Sequence, residues 1–266
     1  MTTLTAAART SLPGRWVSRL PDARLRCELC PRHCLLREGQ RGWCHARFRD
    51  HDELRVDAPV GALAVDPIEK KPLFHFYPGT PILSLGTPGC CLACRFCQNW
   101  ELSRAQVEPL RELPLSPEEV VSLARREGCP AVAFTYSEPL VVAEWVMDVA
   151  RACREAGLRT VAVTSGYVTD HARADFFGLM DATNVDLKGF TEDFYLRFCG
   201  AKLQPVLETL QYLATTGATW LEVTTLLIPG VNDAPKDLEA QFAWHARTLG
   251  VGTPLHLSAF HPAYRM

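Results

Sequence analysis

The stretch Cys90-Cys91-Leu92-Ala93-Cys94-Arg95-Phe96-Cys97 follows directly on an apolar run, Pro81-Ile82-Leu83-Ser84-Leu85-Gly86. Its reading decides what kind of chain this is. Cys90, Cys94 and Cys97 form a C-x3-C-x2-C triplet. Three thiolates on one short loop can each hold one iron of a cubane and leave the fourth iron without a protein ligand, whereas four cysteines close every position of an electron-transfer cluster. An open coordination position is what a catalytic metal centre needs. Cys91 offers a second register, C-x2-C-x2-C through Cys91, Cys94 and Cys97, so the first ligand is Cys90 or Cys91 while the other two are common to both. Structural zinc suits thiols at these spacings equally well, but it wants a fourth ligand nearby. The candidates are Cys91 and His75, and neither sits at a usual zinc spacing from the triplet.

Beyond the cysteine loop a regular alternation begins. Ser116-Pro117-Glu118-Glu119 reads as a capping box with proline at the first helical position, and Gly128 stops that helix. Further helices are expected from about Pro139 to Gly157, from Pro205 to Gly217, and from after Asp233 to near Gly250. Between them lie short strand-like runs at Ala131–Tyr136, Thr160–Thr164, Ala182–Leu187, Thr219–Leu227 and Leu255–Ser258, which with Ile82–Leu85 make six strands. Successive β-α units of this length build a parallel sheet with right-handed crossovers, curled into a partial (β/α)6 barrel. In barrel enzymes the chemistry sits on loops leaving the C-terminal ends of the strands. Those loops here carry the cysteines, Thr135-Tyr136-Ser137-Glu138-Pro139, Thr164-Ser165-Gly166-Tyr167, Asp186-Leu187-Lys188-Gly189, Ile228–Asp233 and Phe260-His261-Pro262.

On the N-terminal side, Cys27, Cys30, Cys34 and Cys44 form a four-cysteine knuckle with bends at Pro31, Gly39 and Gly42. Four thiolates in so short a segment can hold zinc, which would fold a unit too small to make its own core, or an auxiliary iron–sulfur cluster. The x2 and x3 spacings lean toward tetrahedral zinc, with His33, His45 and His51 as spare ligands. Residues 1–23 read as a flexible arm, 24–80 as the Cys-rich unit and an irregular linking segment, and 81–266 as the barrel. Glu69-Lys70-Lys71 reads as a solvated charge cluster, and Cys129, Cys153 and Cys199 as buried thiols without ligand spacing.

The bulk properties agree with an enzyme of this size. At 266 residues and 47% hydrophobic content, the chain fits one large α/β domain with a small appendage. The formal charge of −2 argues against a dedicated nucleic-acid binder, although residues 1–60 carry 11 Arg against 7 acidic residues. No signal peptide or membrane-length apolar run is evident, so the eleven cysteines read as metal ligands in a cytoplasmic protein rather than disulfides.

The triplet with Phe96 before its last cysteine resembles the radical S-adenosylmethionine (SAM) superfamily. Asp66-Pro-Ile-Glu-Lys-Lys-Pro-Leu-Phe-His-Phe-Tyr-Pro-Gly79 and Cys97-Gln-Asn-Trp-Glu101 look like the radical SAM member of the AmmeMemoRadiSam system, itself similar to glycyl-radical-enzyme activating enzymes. The resemblance covers about Arg24 to Met266. It implies a radical SAM barrel, a [4Fe–4S] cluster on Cys90, Cys94 and Cys97, bound SAM, and a flavodoxin or ferredoxin as low-potential donor. It further implies that Glu138, in the place of a G-G-E-P motif, partners the SAM ammonium; Tyr136-Ser137 replace that motif's glycines. Ser165 and Gly166 resemble a T-N-G stretch beside the ribose and methionyl groups, with Ser165 in place of asparagine. Asp186 and Lys188 resemble a D-x-K motif that meets the SAM carboxylate or a ribose hydroxyl, and His261 would lie near adenine. Members of the family continue well past Met266, so a truncated C-terminus is expected. Two further readings stay open: an activator of a glycyl-radical partner protein, and a zinc-binding interaction protein with a degenerate barrel.

Overall fold

A computed structural model describes residues 11–105 and 115–266. The N-terminal part makes two small antiparallel sheets. β1 (Leu12–Pro13), β5 (Arg47–Asp50) and β6 (Glu53–Val56) form one, in the order β1-β6-β5, and β2 (Val17–Arg19), β3 (Leu25–Cys27) and β4 (Leu35–Leu36) form the other. Residues 11–23 therefore are not an arm: Leu12 pairs with Val56 and Val17 with Cys27. The rest of that expected arm lies outside the described residues.

The expected linking segment also holds a strand. β7 (Ala62–Pro67) runs antiparallel to β8 (Pro81–Gly86) and extends the main sheet. Charge hides it in the sequence, because Asp66 occupies a buried position near its end. The explanation lies in Lys71, itself buried, whose Nζ donates to Asp66 Oδ2 at 2.8 Å, with the Tyr136 hydroxyl donating to the same oxygen at 2.6 Å. Lys71 is thus no part of a solvated cluster; only Lys70 of that pair of lysines is exposed.

Six parallel strands follow in sequence order: β8, then β9 (Ala131–Phe134), β10 (Arg159–Thr164), β11 (Ala182–Asp186), β12 (Trp220–Leu227) and β13 (Leu255–Ala259). Their crossovers contain α1 (Trp100–Ser103), α2 (Pro117–Arg126), α3 (Ala143–Glu155), α4 (Asp170–Phe177), α5 (Glu192–Phe194), α6 (Gln204–Thr216) and α7 (Pro235–Thr248). The partial barrel with a small Cys-rich unit is the observed fold. The Ser116 capping box is present in both directions, Glu119 N to Ser116 Oγ and Ser116 N to the Glu119 carboxylate. Pro139 opens a 3-10 turn, Pro139–Val142, rather than the α-helix itself.

Alternation along the strands separates two faces. Leu83, Leu85, Val132, Phe134, Ala162, Val185 and Val223 join the main core with the helices. Ile82, Ala131, Ala133, Val161 and Ala182 pack on the other face with Ile68 and Leu73, forming a small plug. Ser84, Asn184 and Thr224 share that second face by their register, and so does Asp186 at the end of β11. The same polar face leads from the plug to the C-terminal strand ends.

Candidate active site

The cysteine loop leaves β8 and is pinned by its backbone. Ala93 N donates to Cys199 O and Arg95 N to Phe198 O, both at 2.8 Å, while Arg95 O accepts from Arg265 N at 2.9 Å. Cys94 is buried, and Cys90 and Cys97 are half-buried. Leu92 N donates to Cys90 Sγ at 3.3 Å, and Cys97 Sγ shares a hydrogen bond with Ser103 Oγ at 3.3 Å. Burial pushes the Cys97 thiol up, and Cys94 and Cys90 add to the rise, so these three sulfurs feel one another. Cys91 is turned elsewhere: its thiol faces Tyr167 O at 3.9 Å and reaches Cys30 of the knuckle as well as Cys90.

Among the described residues no three of these sulfurs lie within 4.8 Å of one another. Tetrahedral zinc with bonds of ~2.3 Å would draw its sulfurs to about 3.8 Å apart. As they stand, the three sulfurs are spread wider than one tetrahedral zinc ion would hold them. His75 is placed elsewhere, with its ring stacked on His256 and its backbone N–H donating to Glu222 on β12.

Lys188 stands against the same loop. Its Nζ donates to Asp186 Oδ2 at 2.9 Å, and 19% of the side chain stays exposed. Burial pulls its ammonium down, but Asp186, Cys94 and Cys199 outweigh that and hold it well above the ordinary lysine value. A cation fixed beside Cys94 and Cys199 is suited to receive a carboxylate. The backbone around it is fastened on both sides: Lys188 N donates to the Tyr195 hydroxyl at 3.1 Å, and Asn232 Nδ2 donates to Lys188 O at 2.9 Å and to Leu226 O at 2.8 Å.

Glu138 is buried and its carboxylate is fully engaged. Oε1 accepts from Thr164 Oγ1 at 2.6 Å and Leu140 N at 3.3 Å, and Oε2 accepts from Ser165 N at 2.9 Å and from Ser165 Oγ. A carboxylate has about four lone-pair sites, so these four donors leave no vacancy for a ligand ammonium. Burial pushes the carboxyl up while the Ser165 and Thr164 bonds pull it back. Glu138 thus brackets the loops after β9 and β10. The bracket presents Gly166, whose φ of +67° suits glycine and where a Cβ would come within 3.1 Å of Val185. Tyr136 adopts φ +66°, the conformation a glycine would supply at that position, and its ring closes on Gly86.

His261 is exposed after β13, and among the described residues no hydrogen bond ties it to the cysteine loop. Its neighbours do approach that loop, with Tyr264 stacked on Trp100 at 5.3 Å. The knuckle also reaches the site. Arg32 donates to Cys91 O and, at 2.6 Å, to Gly200 O, and Thr169 N donates to Leu29 O at 3.0 Å.

Sequence reasoning missed Cys199, whose thiol lies in hydrogen-bonding reach of Cys94; that contact, ahead of burial, drives the Cys94 thiol well up. Cys199 closes a π-helical turn, Tyr195–Cys199, a feature frequent at functional sites. Hydrogen bonds to ligand sulfur are one lever on cluster potential. No local spacing could reveal Cys199, since over a hundred residues separate it from the triplet.

Comparison with known proteins places this geometry. Residues 84–241 match the family model of the Radical SAM superfamily. An uncharacterized protein of Methanocaldococcus jannaschii is 42% identical over 250 residues, covering 93% of this chain and 74% of that protein. Pyruvate formate-lyase 1-activating enzyme of Escherichia coli K12 is 25% identical over 181 residues, covering 65% of this chain and 71% of the enzyme. Among solved structures, TYW1 with a lysine-pyruvate adduct bound superposes with a TM-score of 0.51 at 20% identity, covering 77% of this chain and 76% of that one. SuiB of Streptococcus suis gives 0.52 at 11% identity, covering 68% of this chain and 40% of SuiB. These two likenesses speak for the fold alone.

Proposed function

Since the chain belongs to the radical SAM superfamily, we propose that this enzyme holds its [4Fe–4S] cluster through Cys90, Cys94 and Cys97 and acts as the radical SAM component of an AmmeMemoRadiSam system. When bound and reduced, the cluster supplies one electron to the sulfonium of SAM, giving methionine and a 5′-deoxyadenosyl radical that abstracts hydrogen from the substrate. The observation that carries this reading is the triplet itself: three sulfurs spread wider than one zinc ion would hold them, beside the Lys188 cation.

Each residue then has a task. Lys188 pairs with the methionyl carboxylate, with Asp186 turning to a ribose hydroxyl. Ser165 and Gly166 line the ribose and methionyl side, held there by Glu138, which acts as a positioning residue rather than a ligand of the ammonium. His261 is assigned to the adenine side. The electron comes from a flavodoxin or ferredoxin at the low end of the cluster range. The similarity to pyruvate formate-lyase 1-activating enzyme favours one second reading, activation of a glycyl-radical protein partner.

The test is anaerobic reconstitution followed by reduction in the presence of SAM, with and without candidate partner proteins, scoring 5′-deoxyadenosine. Cys94→Ala should lose the SAM-responsive paramagnetic signal and the product, whereas Cys91→Ala should keep both. Retention of both in Cys94→Ala defeats the assignment.

A further inference from the structure

We propose that the N-terminal knuckle is a second iron–sulfur site, in which Cys27, Cys30, Cys34 and Cys44 close a [4Fe–4S] cluster beside the catalytic loop. The four cysteines, drawn from β3, the turns after it and the segment before β5, surround one enclosed cavity together with Cys91 and apolar side chains such as Leu36 and Val141. Its volume is ≈ 20 Å³, more than the ~10–15 Å³ a water-sized particle needs. A zinc ion at ~2.3 Å from four sulfurs needs them about 3.8 Å apart. Among the described residues no three knuckle sulfurs come within 4.8 Å of one another. This spacing reverses the preference for zinc that the x2 and x3 intervals suggest.

Hydrogen bonding and charge point the same way. A backbone N–H is directed at one of the sulfurs, Trp43 N donating to Cys34 Sγ at 3.4 Å. Such donors stabilise thiolates and tune cluster sulfurs. Arg47 lines the cavity, is buried, and its Nε has no acceptor among the described residues. Arg32 is a second cation on the wall. Four thiolates around an oxidised cubane carry net negative charge; Arg32 offsets part of it, while Arg47 is shared with Glu144, which its guanidinium meets at 2.8 Å.

A cluster closed by four cysteines has no position for SAM, so its chemistry is electron transfer. Cys91, next to Cys90 in the chain, lines the knuckle cavity, so the two sites adjoin. A low-potential one-electron donor would reduce the knuckle cluster, which returns to its oxidised state as the catalytic cluster gains that electron. This relay rests on the reading of the triplet given above; the knuckle site does not.

The test uses the full chain reconstituted anaerobically with iron and sulfide, as wild type and as the Cys90→Ala/Cys94→Ala/Cys97→Ala variant. The variant should keep about four irons and four sulfides per chain, with a reduced-state paramagnetic signal that SAM does not move, and the wild type about eight irons. Both proteins holding about four irons would also support the knuckle and would overturn the triplet instead. One zinc per chain in the variant overturns the proposal, as does a variant without metal. Should the variant not fold, Cys30→Ser/Cys34→Ser decides: it should hold about four fewer irons than the wild type, and an unchanged iron count refutes the second cluster.

Discussion

Replacing Gly89 by Ala should unseat the knuckle from the cysteine loop. A Cβ at this position would lie 2.1 Å from the Cys44 carbonyl oxygen, which is 0.9 Å inside the 3.0 Å that real Cβ atoms keep (3.0 − 2.1). The obstacle is backbone, so no side-chain rotation relieves it. Overpacking of this kind costs roughly 1–3 kcal/mol, and a left-handed φ of +99° adds about 1–2 kcal/mol. The sum, on the order of 2–5 kcal/mol, corresponds to a fall in Tm of roughly 5–15 °C for a chain of this size. Gly128→Ala is the control, because its φ is +67° and nothing lies within 4 Å of the added carbon. It should lose only the conformational part, about 1–2 kcal/mol. Calorimetry of the two variants isolates the close approach, and iron content reports whether Cys90, the next residue, still presents its thiol. A Gly89→Ala protein as stable as Gly128→Ala would refute the seating of the knuckle on the loop.

Lys188→Met should weaken SAM binding by roughly 30- to several-thousand-fold, the equivalent of about 2–5 kcal/mol for a buried charged contact; unchanged affinity by titration calorimetry would remove Lys188 from the site. Glu138→Gln places an amide donor against Ser165 and should cost about 1–3 kcal/mol of stability while loosening SAM; wild-type Tm and affinity together would contradict the bracket. Lys71→Met strips Asp66 of its buried ammonium and should cost on the order of 3 kcal/mol, read as a shift in denaturant midpoint. Burial pushes the Cys153 thiol up from 9.0 to about 12. Its folded value exceeds its unfolded one, so its contribution is complete below pH 9.0 and declines as pH rises toward about 12, by up to about 1.4 kcal/mol per pH unit. The alkaline loss of Tm should be shallower in Cys153→Ala than in the wild type, and parallel curves would count against it.

The sequence shows the six parallel strands plainly because most crossovers are punctuated by proline near a helix start and glycine beyond its end. Where that punctuation is missing, the reading falters. Helix α4 starts at Thr169 without proline or a side-chain cap and is only eight residues long, so it passes unnoticed between β10 and β11. β7 escapes for another reason: Asp66 interrupts its apolar pattern, and the partners that neutralise it, Lys71 and Tyr136, come from outside the strand. The same limit governs the site. Cys94, Cys97 and Lys188 are legible as local motifs, but the side to which Cys91 turns depends on Cys30, sixty-one residues earlier in the chain. Glu138 is legible as a motif residue, yet its engagement by Thr164 and Ser165 is a property of two loops meeting across the sheet.

The stitching of the cysteine loop bears on how the protein acquires its metal. Ala93 and Arg95 spend their amide hydrogens on the Cys199 and Phe198 carbonyls, and the Arg95 carbonyl is taken by Arg265. The loop's conformation is thus held in part by polypeptide hydrogen bonds, so iron and sulfide are expected to enter a receptacle that is already shaped rather than to recruit a disordered strand around themselves. Apoprotein should accordingly retain slow amide exchange at Ala93 and Arg95. Loss of metal under oxygen would then be an event confined to the thiols, after which the same chain can be refilled without passing through an unfolded state.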